Sequence, residues 1–302
     1  MSEKMPALSL VAIPGRRKAM LEMATEIEKR GFAGIYCPSM TDCLALCEAL
    51  AFVTEKIPFG TAIAPIYSRH INEYAQMAAF IHEISDGRFR FGVGVSHGPV
   101  LKRLGVSAGK PLGDMRNFVD GLRAVPRTGD QPPVILATLR KKMIALAGEI
   151  GDGMVFANGA RSHMASSLSA LPDDKRNDEN FFIGNMIPTC VSDDVEAAKA
   201  VNRRTLTGYA MMPNYRNYWR EAGYEEEMAA VEKVIADGEP KRIGECLSDK
   251  WLADTTISGP PAFVRDQIAE WFDAGIRTPI IVPSSAVGNQ LDAFKEFFNC
   301  YK

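Results

Sequence analysis

The sequence predicts an α/β protein of the (β/α)8 barrel class, organised as a single domain over residues 1–302. Short apolar runs with the length of buried strands alternate with longer segments of helical periodicity, which is typical of βα units around a parallel sheet. The alternation gives eight strands, the number that a closed parallel barrel requires. An open, doubly wound sheet with a separate helical part is the alternative.

The predicted strands end at proline, glycine or polar residues, and most lead into a segment with helical periodicity. The eight strands are residues 8–13, 34–37, 59–63, 89–95, 134–137, 154–157, 181–188 and 278–282. The connecting helices include residues 42–54, with Asp42 as a candidate N-cap, and residues 73–84, 115–125 and 141–150. Within 73–84, the spacing predicts one buried face formed by Tyr74, Met77, Phe80 and Ile81.

The stretch before the last strand, about residues 195–250, is longer than a βα unit needs and predicts a helical insertion. It carries several aromatic residues: Tyr209, Tyr215, Tyr218, Trp219 and Tyr224. These side chains either line a pocket or a subunit contact, or anchor helices that cover the barrel. The residue pattern leaves both interpretations open.

Composition excludes several classes of protein. With 46% hydrophobic and 24% charged residues, the chain is globular, and its net charge of -2 without a basic block speaks against nucleic-acid or membrane partners. The longest apolar runs are too short to span a bilayer, and the first residues lack the features of a secretory signal. The six cysteines include no CxxC pair, so we expect buried reduced thiols, no metal site and a cytoplasmic protein.

In a parallel barrel the active site lies at the carboxyl ends of the strands. The residues just beyond the predicted strands include no paired carboxylates, no nucleophile elbow and no cluster of metal ligands. This scarcity of acids and bases favours an enzyme whose cofactor performs the chemistry.

Three features at the strand ends are candidates for ligand contact. The glycines of residues 92–98 either let a ligand approach the backbone closely or only allow the chain to bend at the end of the strand. His97 either donates a hydrogen bond or a proton, or is a packing or surface histidine. Arg140, followed by Lys141 and Lys142, either binds a phosphate at a helix start or forms a solvated basic turn.

Several motifs, taken in order, resemble the luciferase-like monooxygenase superfamily. Residues 59–65 read FGTAIAP and are followed by Arg69, His70, a helix, and SDGRFRFGVG at residues 85–94. Further matching motifs lie within residues 142–153 and 258–276. The resemblance extends from about residue 8 to about residue 284 and is strongest to the methylenetetrahydromethanopterin reductase-like branch, which uses the deazaflavin coenzyme F420.

The resemblance implies a barrel that holds a flavin or deazaflavin at the carboxyl ends of its strands. It places a non-prolyl cis peptide at Ala62–Ile63, behind the ring, and the fourth-strand loop beside the ring. The phosphate side falls on the loops after strands five and six. The implied cofactor contacts are Ala62, Ile63, Ala64, Gly94, Val95, Ser96, Leu139, Arg140, Asn158 and Gly159. His97 is the candidate catalytic residue, and Ser39, Met40 and Tyr67 are the candidate substrate contacts.

The chain also departs from its relatives. Ser39 and Met40 stand where the deazaflavin enzymes often carry an acidic residue and a histidine, and His97 stands where one branch has a catalytic acid. Leu139 and Arg140 replace a pair of glycines.

We therefore expect a homodimeric oxidoreductase that moves a hydride between reduced F420 and a small organic substrate. One alternative is an FMN-dependent monooxygenase that uses molecular oxygen, and another is a barrel that binds a flavin without turnover. A hydrolase or lyase would need an acid–base pair that the strand ends do not offer.

Overall fold

The computed structural model describes residues 4–301. These residues form two compact units, one comprising residues 4–156 and 168–184 and the other residues 157–167 and 185–301. The single-domain organisation stays a prediction, and the two units are described separately below.

The β-strands within residues 4–301 are Ala7–Ser9 (β1), Ile35–Cys37 (β2), Phe59–Thr61 (β3), Ala64–Pro65 (β4), Phe89–Gly94 (β5), Val134–Ala137 (β6), Gly153–Ala157 (β7), Phe182–Val191 (β8), Ile257–Gly259 (β9) and Thr278–Ser284 (β10). The α-helices in the same range are Arg17–Lys29 (α1), Cys43–Val53 (α2), Ile71–Ile84 (α3), Gly98–Leu104 (α4), Pro111–Ala124 (α5), Lys141–Ile150 (α6), Met164–Leu168 (α7), Asp173–Asn177 (α8), Val195–Ala210 (α9), Pro213–Glu221 (α10), Glu225–Ala236 (α11), Asp249–Thr255 (α12), Pro261–Asp273 (α13) and Gln290–Phe298 (α14).

The order of these elements confirms the predicted fold class. Strands β1, β2, β3, β5, β6, β7, β8 and β10 follow one another with helical segments between them, as in a (β/α)8 barrel. The predicted helical insertion before the last strand is also helical, and α9 to α12 occupy it.

In the first unit, β1, β2, β3, β5, β6 and β7 form a parallel sheet in that order. Ile35 lies between Leu8 and Phe59 in the register, and all three side chains are fully buried. Nearly continuous burial along a strand is typical of a parallel sheet covered on both faces, which explains why these strands appear as unbroken apolar runs.

Arg88 connects the start of β5 to the end of α2. Its guanidinium donates to the carbonyl oxygens of Ser85, Ala51, Thr54 and Ile57 and to the Thr54 hydroxyl, at 2.8–3.2 Å. These contacts use the five N–H donors of an arginine and supply partners to carbonyls that the end of a helix leaves unpaired. The arginine of the SDGRF motif therefore has a structural role.

In the second unit, β8 pairs with β10 and, in parallel, with β9 through Thr189 and Ile257. Asn202 of α9 is fully buried, and its Nδ2 donates to the Ile257 carbonyl oxygen and to the Ser258 hydroxyl. A buried amide that bonds to a strand backbone fixes α9 against β9.

Three predicted strands differ from the structure by two or more residues at their carboxyl ends. The first strand ends at Ser9 instead of continuing to residue 13, because its partner β2 stops at Cys37, directly before Pro38. The seventh continues past Pro188 to Val191, because its last residues pair with β9. The eighth continues past residue 282 to Ser284. The predicted third strand is divided into β3 and β4, with residues 62 and 63 between them.

The buried face of α3 differs from the prediction. Tyr74 and Ile81 are buried, Met77 is half-buried and Phe80 is 49% exposed. Phe80 lies six positions after Tyr74, which places Phe80 about 240° further around the helix axis and away from the core. The candidate cap Asp42 is confirmed, since its side chain accepts a hydrogen bond from the Ala45 N–H at 3.2 Å. Helix α4, directly after the fourth-strand loop, was not predicted.

All six cysteines are free, and each is buried except Cys246, which is half-buried. Within residues 4–301, no helix combines the length and the apolar character that crossing a membrane requires. In the same range, no group of three or more histidine, cysteine or acidic side chains has the arrangement of a metal site.

Candidate functional site

The end of the third strand has the backbone feature that the resemblance implied. The Ala62–Ile63 peptide bond is cis, as expected. The Ala62 N–H donates to the Cys37 carbonyl oxygen at 2.9 Å, and Ala64 pairs with Val93 of β5. Ala62 and Ala64 are buried, whereas Ile63 is half-buried. The structure thus brings Ala62, Ile63 and Ala64 to the carboxyl end of β5.

Gly94, the last residue of β5, contacts the Ile63 side chain closely. A Cβ atom at residue 94 would lie 2.9 Å from Cγ1 and Cδ1 of Ile63 and 2.9 Å from Cβ of Ala137. Real Cβ atoms do not approach carbon so closely, so a larger residue would displace Ile63. Ile63, Gly94 and Ala137 therefore form one apolar surface at three neighbouring strand ends.

The loop after β5 turns sharply before helix α4. Ser96 has a φ of 61°, in the left-handed region, and the His97 carbonyl oxygen accepts from the N–H groups of Val100 and Leu101. His97 is thus the N-cap of α4, and its half-buried imidazole has its pKa lowered by burial. Its neutral form is therefore favoured at neutral pH, with one ring nitrogen as donor and the other as acceptor.

Two buried hydroxyls at strand ends of the first unit make no hydrogen bond. The Oγ of Ser9, at the end of β1, and the Oγ1 of Thr138, directly after β6, are both buried without a partner. Burying an unpaired hydroxyl is costly, so such atoms need an explanation such as an unseen ligand or water. Neither was predicted from the sequence as a site residue, although Thr138 directly follows the predicted fifth strand at 134–137.

Helix α6 begins at Lys141, three positions after Thr138. Arg140 is its N-cap residue and is exposed, Leu139 is half-buried, and the first turn contains Lys141 and Lys142 without an acidic residue. The unpaired N–H groups of a helix start and adjacent cationic side chains both favour an anion.

The candidate substrate residues lie in different environments. Ser39 and Met40 are exposed, Met40 at 77%. Tyr67 is half-buried, and its hydroxyl donates to Oδ2 of Asp114 at 2.5 Å. Burial, together with this carboxylate, raises the pKa of the Tyr67 phenol, which keeps it protonated.

In the second unit, Asn158 and Gly159 begin the loop after β7. Asn158 has a φ of 58°, a conformation that asparagine tolerates better than most residues, and its carbonyl oxygen accepts from Nε1 of Trp219 at 3.2 Å. The Gly159 N–H donates to Oδ1 of Asn185, also at 3.2 Å. The next N–H, of Ala160, donates to the Tyr218 hydroxyl at 3.0 Å.

The aromatic residues of the helical stretch act as packing anchors. Tyr215, Tyr218, Trp219 and Tyr224 are at most 5% exposed, and only Tyr209 is half-buried. The Trp219 ring also meets Trp251 edge-on at 4.7 Å between centroids. Of the two open interpretations, the structure favours helix anchoring over a pocket lining.

Asp254 of α12 is a structural residue that sequence reasoning missed. It is 8% exposed and accepts hydrogen bonds from the Ser162 N–H, the Ser162 hydroxyl and the Tyr224 hydroxyl at 2.7–2.8 Å. A buried carboxylate with three donors is well satisfied, and it fixes the segment after Asn158 and Gly159. The available signal in the sequence was one acidic residue directly after the apolar run 251–253.

The comparison with protein families finds a match over most of the chain. The family model described as luciferase-like monooxygenase matches residues 7–278.

Two curated relatives match at low identity. A Mycobacterium tuberculosis protein with a provisional assignment as a coenzyme F420-dependent oxidoreductase is 26% identical, covering 77% of this chain and 81% of its own. The 5,10-methylenetetrahydromethanopterin reductase of Methanolobus tindarius is 24% identical, covering 89% of this chain and 90% of its own.

Solved structures share the fold. An F420-dependent secondary alcohol dehydrogenase, in complex with an F420–acetone adduct, has a TM-score of 0.75 at 16% identity and covers 98% of each chain. The oxygenating constituent of 3,6-diketocamphane monooxygenase from Pseudomonas putida, in complex with FMN, has a TM-score of 0.61 at 16% identity, covering 98% of this chain and 95% of its own. Similarity at this level establishes the fold and leaves the cofactor open.

Proposed function

Given that the chain belongs to the luciferase-like monooxygenase family and is therefore an oxidoreductase, we propose that it transfers a hydride between reduced coenzyme F420 and a small organic substrate. The relatives named as F420-dependent oxidoreductase and methylenetetrahydromethanopterin reductase support F420. FMN is the alternative, supported by the fold shared with an FMN-containing monooxygenase.

The residues at the strand ends fit a phosphate-bearing cofactor. The observation that carries the proposal is the buried, unpartnered Thr138 hydroxyl, which lies three positions before the basic first turn of α6. A hydroxyl donor, free helix N–H groups and the charges of Arg140 and Lys141 are the groups that bind phosphate in proteins. We propose that Leu139 and Arg140 belong to this phosphate side.

The ring of the cofactor requires an apolar wall, which Ile63, Gly94 and Ala137 supply. We assign Ala62, Ile63 and Ala64 to the face of the ring, and Gly94, Val95 and Ser96 to its edge. When bound, a reduced deazaflavin supplies a hydride, while the protein binds the ring, excludes water and orients the substrate.

His97 is proposed to orient a substrate oxygen. Since burial lowers its pKa, His97 is mainly a neutral hydrogen-bond donor at neutral pH. As a neutral imidazole it would hold a substrate oxygen by a hydrogen bond, and any proton delivered to that oxygen would have to be matched by uptake of a solvent proton at the other ring nitrogen. Ser39, Met40 and Tyr67 are the proposed substrate contacts.

Titration of the purified protein with F420 and, separately, with FMN tests the proposal, with cofactor fluorescence as the readout. We expect saturable binding of F420 and weaker binding in Thr138→Val, which removes the hydroxyl and keeps the shape. Thr205→Val is the matched control, because Thr205 is an exposed residue of α9 whose hydroxyl bonds within its own helix.

Each outcome has a distinct meaning. Binding of FMN alone would replace the F420 proposal by the oxygen-using alternative. Binding without turnover of any candidate substrate would favour a non-catalytic barrel. Binding of neither cofactor would overturn the proposed function. A homodimer and a cytoplasmic location stay predictions, and sedimentation equilibrium tests the first.

A further inference from the structure

The loop after β7 has already used most of its backbone donors. The Asn158 N–H donates to the Met186 carbonyl oxygen at 3.0 Å, and those of Gly159 and Ala160 donate to Asn185 and Tyr218. The Ser162 N–H donates to Asp254 at 2.8 Å. Since each N–H carries a single hydrogen, these groups are not free to hold a phosphate.

Two side-chain amides of the same unit have hydrogens that are not used within the protein. Asn185 is fully buried, and its Nδ2 makes no hydrogen bond. Asn158 is 3% exposed, and its NH2 faces the Tyr209 hydroxyl, whose pKa burial raises and this amide lowers; this contact uses at most one of its two hydrogens. The assignment of the Asn185 amide is fixed, because the Gly159 N–H requires an oxygen and therefore identifies Oδ1. An amide NH2 buried without an acceptor is costly, which points to an acceptor that is present in the working protein.

The charges nearby argue against an anionic acceptor. Arg161, in the same loop, is engaged by Oε1 of Gln267 at 2.8 Å and by Oε2 of Glu270 at 2.6 Å. The remaining amide hydrogens belong to neutral carboxamides, whereas phosphate groups are bound chiefly by cationic side chains and free backbone N–H groups. The pair therefore suits an uncharged oxygen, such as a carbonyl or a hydroxyl.

We propose that Asn158 and Asn185 form a two-donor site for an uncharged oxygen of the bound cofactor. This inference rests on the proposed function and assigns Asn185, which no sequence motif indicated. Flavins and deazaflavins carry both ring carbonyls and side-chain hydroxyls, so either cofactor offers such an oxygen. Gly159 contributes to this site through its bond to Asn185.

The loop is held in place by positioning residues from two helices. Trp219 and Tyr218 of α10 fix the backbone of Asn158 and Ala160, and Asp254 of α12 fixes Ser162. These side chains explain how Asn158 keeps its left-handed conformation and presents its amide in one orientation.

The experiment replaces each donor by a carboxyl of the same shape. Asn185→Asp keeps an oxygen for the Gly159 N–H but exchanges the free NH2 for an oxygen, and Asn158→Asp tests the other donor. Asn202→Asp is the matched control, because Asn202 is equally buried but its NH2 is bonded to Ile257 and Ser258. Cofactor Kd is measured by fluorescence from pH 5 to pH 9, and Tm is measured for each variant.

We expect Asn185→Asp to weaken cofactor binding by about tenfold or more at pH 8, where a carboxylate would repel the acceptor oxygen. Binding should recover toward pH 5, because a protonated carboxyl donates again and burial raises the pKa of an introduced carboxyl. A purely structural effect would not produce this pH dependence. Asn202→Asp should lower Tm and leave the Kd of the folded protein unchanged.

A Kd for Asn185→Asp within twofold of the wild type across this pH range would overturn the inference. An equal loss in Asn202→Asp would also overturn it. If Asn185→Asp does not fold, Asn158→Asp is judged by the same criteria. Failure of the wild type to bind either cofactor is a separate result, which overturns the proposed function itself.

Discussion

Replacing Arg88 by lysine should destabilise the first unit strongly. The guanidinium makes five hydrogen bonds to the end of α2, the following loop and Ser85, and its charge lies 5.2 Å from the centre of the Phe59 ring. Lysine has three donors on a single nitrogen, so at least two of these acceptors lose their partner.

At about 1.5 kcal/mol for each hydrogen bond to a charged group, two lost bonds correspond to a decrease of about 3 kcal/mol in the free energy of unfolding. We use the lower end of the usual range because Arg88 is half-buried. With an unfolding entropy of about 2.1 cal/mol/K per residue, a loss of this size in a 302-residue chain lowers Tm by about 5 °C.

Urea unfolding followed by circular dichroism measures this change, and a thermal scan provides Tm. Arg242→Lys is the matched control, since Arg242 is 56% exposed and its partners Glu239 and Glu245 are also exposed. The control should change the free energy of unfolding by less than about 0.5 kcal/mol. If Arg88→Lys were as mild as this control, the structural role assigned to the SDGRF arginine would be refuted.

Three further predictions concern single residues. Gly94→Ala should destabilise the protein by about 1–3 kcal/mol and weaken cofactor binding, because its Cβ would displace Ile63; unchanged Tm and Kd would contradict the close packing. Burial raises the pKa of the Glu28 carboxyl, but the hydrogen bonds from the N–H groups of residues 55–57 and the charge of Arg88 together lower it by more. The net pKa is therefore below 4.5. Glu28→Gln should therefore be less stable than the wild type at pH 7, and the difference should vanish as the pH falls through that lowered pKa; a difference independent of pH would contradict this. The imidazole of His97 should titrate below pH 6.5 by NMR, with the assignment given by His97→Asn, and a midpoint at or above 6.5 would disagree with its burial.

Elements that depend on local sequence were predicted well. The strand at 134–137 and the helix at 141–150 have the predicted ends, because an apolar run and a helical period are properties of neighbouring residues. The cap at Asp42 was predicted for the same reason. The end of β8 was not, since its last residues are held by β9, more than sixty positions further along the chain.

The candidate site divides in a similar way. The motif resemblance located the cis peptide at Ala62–Ile63 and directed attention to Gly94 and His97. It did not indicate Asn185 or Asp254, whose partners Gly159 and Ser162 are 26 and 92 positions away. A pattern of neighbouring residues does not indicate contacts between positions so far apart in the sequence.

The alternation of strands and helices, the barrel class and the strand ends where a cofactor site is expected all follow from the amino-acid sequence alone. Periodicity and turn residues encode these features within a few positions. The tertiary structure is needed to show which polar atoms at those ends have hydrogen-bond partners, as at Gly159 and Ala160. It also shows which have none, as at Thr138 and Asn185. Hydrogen-bond satisfaction depends on groups that folding brings together from distant segments, so it can be counted only when the fold is known.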